Sequence, residues 1–128
     1  MSIAAEERNV LLKSQQGELD AVKMYTALTK VVRDSRNAEP FFQPAAEEGR
    51  HAALFKVLTD ELLKPKGTKA TVIPLLYRVI GKKKLYPIIA KGEYDAVKKY
   101  ESLAARFPEV ESVKNDEQRH GDTVLELL

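Results

Sequence analysis

The chain contains only two histidines, and each has a glutamate three positions before it. Glu48 precedes His51, and Glu117 precedes His120. Residues three apart share one face of a helix, so each pair presents a carboxylate and an imidazole in the same direction. Oxygen and imidazole donors suit divalent first-row metals, iron and manganese among them. The immediate contexts repeat as well: residues 47–51 read EEGRH and residues 116–120 read DEQRH. Two more glutamates sit in a longer repeat. Residues 16–28 read QGELDAVKMYTAL and residues 91–103 read KGEYDAVKKYESL, with eight of thirteen positions identical. The frames lie 75 positions apart (93 − 18) and align Glu18 with Glu93. A duplicated set of Glu, then Glu-x-x-His, is the donor set for two metal ions. Four carboxylates carry −4 and two divalent cations carry +4, whereas four buried acids without cations would repel one another. Each metal would take one terminal glutamate, Glu18 or Glu93, and one histidine, with Glu48 and Glu117 placed to bridge. Metals so held carry the chemistry themselves and require no protein nucleophile.

The elements that must position these groups are helices. From residue 3 to about residue 32 there is no proline, and small or apolar residues recur at helical spacing through Leu11, Ser14, Ala21, Val22, Tyr25, Leu28 and Val32. Glu18 interrupts that stripe. Such a helix would run about 45 Å. Residues 33–39 are polar and read as a turn. A second helix follows Pro40 or begins nearer Gln43 and reaches about Leu63, with Ala45, Glu48, His51, Ala52, Phe55, Leu58 and Leu62 inward. Residues 64–71 (KPKGTKAT) break the pattern. Residues 72–80 suit a short helix with Pro74 in its first turn, and Gly81 and three lysines read as a solvated turn. The whole connection, residues 64–82, can span roughly 60 Å when extended, enough to bring a third helix in parallel to the second. That helix starts near Leu85 or Pro87 and reaches about Arg106, with Ile89, Glu93, Ala96, Val97, Tyr100 and Leu103 inward. Phe107, Pro108 and Glu109 stop it and start a fourth helix that carries Val110, Val113, Glu117, His120, Val124 and Leu127 or Leu128 inward.

Composition narrows the function. At 128 residues the chain fits a single domain, residues 1–128. It is 44% hydrophobic and 31% charged, with a formal net charge of +2, which argues against nucleic acid as a partner. Cysteine is absent, so disulfides, thiolate metal sites and cysteine nucleophiles are excluded. No apolar run reaches the roughly 18 residues of a membrane span, so no membrane partner is expected. The first residues lack a signal peptide's order of charges and apolar residues, and a cytoplasmic location is the expectation.

With the six residues Glu18, Glu48, His51, Glu93, Glu117 and His120 in place, nearly the whole chain resembles a ferritin-like di-iron carboxylate protein of the rubrerythrin and bacterioferritin group. The resemblance implies an all-α, ferritin-like four-helix bundle of two duplicated helical hairpins joined by a long crossover containing a short helix. It implies a pair of iron ions, with manganese as the alternative, and a di-iron oxidoreductase that oxidises ferrous iron with oxygen or peroxide, reduces peroxide, or does both, in the setting of oxidative stress. The alternative function is a non-catalytic metal-binding module for iron, manganese or zinc. Tyr25 and Tyr100, each seven residues after the unpaired glutamate, match a tyrosine position common in rubrerythrins, where a hydroxyl would orient a ligand carboxylate. Packing in the core is the plainer reading of both. The chain departs from rubrerythrins at Ala96, where they carry a further ligand glutamate, and in having no cysteine-rich rubredoxin part. Gly49 stands where bacterioferritins carry the haem methionine, so no haem is expected. Expected partners are oxygen or peroxide, a separate electron-donor protein, and further copies of the chain in a homodimer or larger assembly.

Other repeated or clustered residues have plainer readings. Asp20 with Lys23, and Asp95 with Lys98, are spaced for surface ion pairs. Arg50 and Arg119 should point away from the metals, and Asp122 should be solvated. Phe41, Phe42, Tyr77 and Tyr86 are candidates for a subunit contact.

Overall fold

The structure of the protein, a computed structural model, describes residues 3–32 and 35–128. The described residues form helices and no strand. Their contacts divide the chain into two compact units, Met1–Leu75 and Leu76–Leu128.

The first unit is built on a helical hairpin. Helix α1 spans Ala5–Val31, with Glu6 and Glu7 in its first turn and Lys30 in its last, each charge matched to the end of the helix dipole it sits on. Its buried face runs through Leu11, Ser14, Glu18, Ala21, Tyr25 and Leu28, as the spacing predicts, and adds Gln15 and Met24. Arg33 and Asp34 of the predicted turn lie outside the described residues. Beyond them the chain makes one helical turn, α2 (Ser35–Ala38), and a 3-10 turn over Glu39–Phe41 that seats Pro40 where no intrahelical N–H is required. Phe41 is buried and its ring stacks on Tyr25 with centroids 6.1 Å apart, so it belongs to the core and not to a subunit contact, while Phe42 is exposed.

Helix α3 (Phe42–Thr59) packs along α1 and stops four residues before the predicted end. The cause is tertiary. Arg8 Nη1 donates to the Thr59 carbonyl at 2.7 Å, the Thr59 hydroxyl donates to Gln15 Oε1 at 2.5 Å, and Gln15 Nε2 donates to the Glu61 carbonyl at 2.8 Å. Gln16 Nε2 holds the Lys64 carbonyl at 2.8 Å, and Asp20 accepts the Lys66 N–H at 2.6 Å. Side chains of α1 thus satisfy the backbone that would otherwise have continued the helix. Asp60 turns the chain away in a left-handed conformation (φ 53°). Leu62 consequently lies outside the helix, 79% exposed, where an inward position was expected.

Helix α4 spans Thr68–Ile80. It starts four residues earlier than predicted, so Pro74 falls in its interior and not its first turn. None of its residues is buried.

The second unit repeats the hairpin. Gly81, at φ 77°, takes a conformation that suits glycine and places helix α5 at Lys82–Ala104. The three lysines therefore form the exposed first turn of α5 and not a turn before it, and Pro87 is inside the helix. Tyr86 is buried and stacks on Tyr77 at 6.3 Å, so it too is withdrawn from the proposed subunit contact. The predicted stop at Phe107–Pro108–Glu109 holds. The Phe107 N–H closes on the Leu103 carbonyl at 2.8 Å, the Val110 N–H on Phe107 at 2.9 Å, and the Phe107 ring is buried. Helix α6 (Val110–Glu126) packs back along α5 with Val110, Val113, Glu117, His120 and Val124 buried. At the far end, Leu127 is half-buried and Leu128 exposed.

Candidate metal centre

Each hairpin brings one glutamate from its first long helix against a Glu-x-x-His pair from its second. In the first unit, His51 Nδ1 lies 3.6 Å from Glu18 Oε2 and 3.1 Å from Glu48 Oε1. In the second, His120 Nδ1 lies 3.5 Å from Glu93 Oε2 and 3.3 Å from Glu117 Oε1. All six residues are buried. Within each triad the ligand atoms lie within 4.8 Å of one another. Both imidazoles therefore present Nδ1, and both bridging candidates present Oε1.

Burial of two carboxylates beside one imidazole is costly without a counter-charge. One divalent cation per triad supplies that charge, and two oxygens with one nitrogen form a donor set for iron, manganese or zinc. Each buried triad can thus bind a metal ion, and the donor chemistry fits iron.

Tyr25 and Tyr100 are buried two turns beyond Glu18 and Glu93. Tyr25 stacks on Phe41, and Lys99 Nζ sits 4.8 Å from the centre of the Tyr100 ring. Arg50 pairs with Glu47 at 3.3 Å and Arg119 with Asp116 at 2.6 Å, each along its own helix and one position before the ligand pair. Asp20 accepts from the crossover backbone and Asp95 pairs with Lys91 at 2.8 Å; Lys91 holds the Asp95 carboxyl below its usual range.

Three features of the site's surroundings differ from what the sequence predicts. Glu47, next to Glu48, is buried. Gln15 and Thr59 form a buried hydrogen bond, although an amide and a hydroxyl at helix-stripe positions carry a visible signal. The third is a contact in the second hairpin alone. The Tyr94 hydroxyl donates to Asp122 Oδ1 at 2.6 Å, and this bond pushes the phenol pKa up to about 12. The Tyr94 ring lies so close to α6 that a Cβ on Gly121 would sit 2.6 Å from it. A lone glycine in a helix pattern was the available signal. Asp122 is therefore not merely solvated.

Residues 9–128 match the family model described as Rubrerythrin. Among curated proteins and among solved structures, none matches the chain. The family model accords with the all-α, ferritin-like fold class, and the family is one of di-iron proteins, generally oxidoreductases.

Proposed function

The chain belongs to the rubrerythrin family, and from that premise we propose that its two hairpins close into a single domain around one di-iron centre. Glu18, Glu48, His51, Glu93, Glu117 and His120 are the ligands in this reading. The protein is then a di-iron oxidoreductase that oxidises ferrous iron with oxygen or peroxide, or reduces peroxide. The observation that carries the reading is the matched pair of buried Glu, Glu, His triads on a duplicated frame. Their combined charge of −4 equals that of two divalent cations with the sign reversed.

Bound iron would supply the one-electron steps that consume oxygen or peroxide. The protein's own part is positional. His51 and His120 would offer Nδ1, Glu48 and Glu117 would bridge, and Glu18 and Glu93 would be the terminal ligands, free to shift coordination between redox states. Leu11, Tyr25, Ile89 and Val113, on three of the ligand helices, are buried as the ligands are. In this reading electrons for turnover would come from iron itself or from a separate donor protein. A cytoplasmic homodimer or larger homo-oligomer is part of the proposal.

The test is metal analysis followed by redox cycling. The reading predicts about two irons per chain, with near-UV absorption that bleaches on reduction and returns with peroxide. A protein that loads two irons but never cycles is a binding module and not an oxidoreductase.

A further inference from the structure

Residues 62–92 contain eight lysines and arginines and no acidic residue. With a chain total of +2, the other 97 residues (128 − 31) carry −6 (2 − 8). All eight cations are exposed. Lys91 is engaged by Asp95, and Lys82 Nζ reaches the Leu127 carbonyl at 3.2 Å. Helix α4 lies in the middle of this stretch. Val72, Leu75 and Val79, at helical spacings of three and four, are 43%, 58% and 71% exposed. They make one apolar stripe open to solvent. At 100° per residue, Lys69 and Arg78 fall roughly a quarter-turn to either side of it. The opposite face, with Ile73, Tyr77 and Ile80, is half-buried. A helix of this length is marginal alone in water, and an interior proline weakens it further.

We propose that α4 is an interfacial helix that seats the protein on an anionic lipid surface. The stripe enters the boundary between headgroups and acyl chains, and the flanking cations meet lipid phosphates. A second copy of the chain fits the stripe poorly. A face one helix wide and about 20 Å long offers on the order of 200 Å² per partner, against roughly 800 Å² in a stable complex. Two α4 helices face to face would also set one basic stretch against another. A bilayer requires no complementary shape, only apolar depth and negative charge. No helix among the described residues is long and apolar enough to cross a membrane. That length requirement does not apply to a helix lying flat.

The experiment is flotation of the full chain with vesicles of phosphatidylcholine alone, and of phosphatidylcholine with phosphatidylglycerol. The proposal predicts association at least roughly tenfold stronger with the anionic vesicles, abolished by high salt. Leu75→Asp with Val79→Asp, both at exposed positions, should remove the association while helix content and metal loading stay unchanged. Lys69→Gln with Arg78→Gln should weaken it without any change to the apolar stripe. Failure to float at low salt, equal flotation with neutral vesicles, or wild-type flotation of the double Asp variant overturns the proposal. So does a wild-type dimer that the double Asp variant converts to monomer, because a second chain would then occupy the stripe.

Discussion

The first hairpin holds its histidine 3.6 and 3.1 Å from two carboxylates, and the second holds its own at 3.5 and 3.3 Å. The supports behind these equivalent triads are unrelated. Gln15 in the first hairpin buries an amide that fixes Thr59 and Glu61; the aligned position in the second is Ala90, which packs without a polar group. The second hairpin seats Tyr94 against Gly121 and Asp122; the aligned positions in the first are Leu19, Ala52 and Ala53. In the proposed reading a ligand change would cost the metal. A bracing change would cost only stability, and another contact can offset it. That asymmetry accounts for donors that are alike in the two hairpins and braces that differ.

The strongest way to break this equivalence is to remove one bridging carboxylate at a time. Glu48→Ala and Glu117→Ala should lower metal content to the same extent, and the two together should abolish it. A large inequality in the metal analysis would show that the halves are not equivalent.

Gln15→Leu comes next. It removes the acceptor of the buried Thr59 hydroxyl, which keeps only the Glu61 N–H at 3.3 Å, and the donor to the part-buried Glu61 carbonyl, and should destabilise the protein by about 1–2 kcal/mol in urea unfolding. Ala90 offers no comparable handle in the second hairpin.

Gly121→Ala sharpens the contrast from the other side. A Cβ at 2.6 Å from Tyr94 Cε1 forces the ring or the helix to move, at a cost of about 1–2 kcal/mol. Pairing it with Tyr94→Leu recreates the first hairpin's Leu19 and Ala52, and a double-mutant cycle should show most of the loss recovered.

The smallest effect is electrostatic. Asp122→Asn should bring the Tyr94 phenol down from about 12 towards its ordinary 10, read by ultraviolet absorbance on alkaline titration. Because the folded pKa is the higher one, the bond's contribution to stability is complete below pH 10. It fades as the pH rises through about 12.

The sequence made the ligand helices legible because Glu18, Glu48, Glu93 and Glu117 interrupt apolar stripes at matching places, and the repeat marks the interruptions as deliberate. The helix ends were less legible. Thr59 ends α3 because Arg8 and Gln15, far away in sequence, capture the backbone there. Helices α4 and α5 begin earlier than Pro74 and Pro87 suggest, because a local rule places proline in the first turn while the fold admits both inside the helix. Gly121 was visible, but its reason lies on another helix at Tyr94.

Whether the two triads serve one centre is tested most directly by electron paramagnetic resonance on the iron-loaded, oxidised protein at about two irons per chain. Two ferric ions sharing Glu48 and Glu117 as bridges are magnetically coupled, so the signal of isolated high-spin ferric iron should be nearly absent and should appear in Glu48→Ala. A wild-type spectrum carrying the full isolated-ion intensity of both irons would mean that the triads act separately.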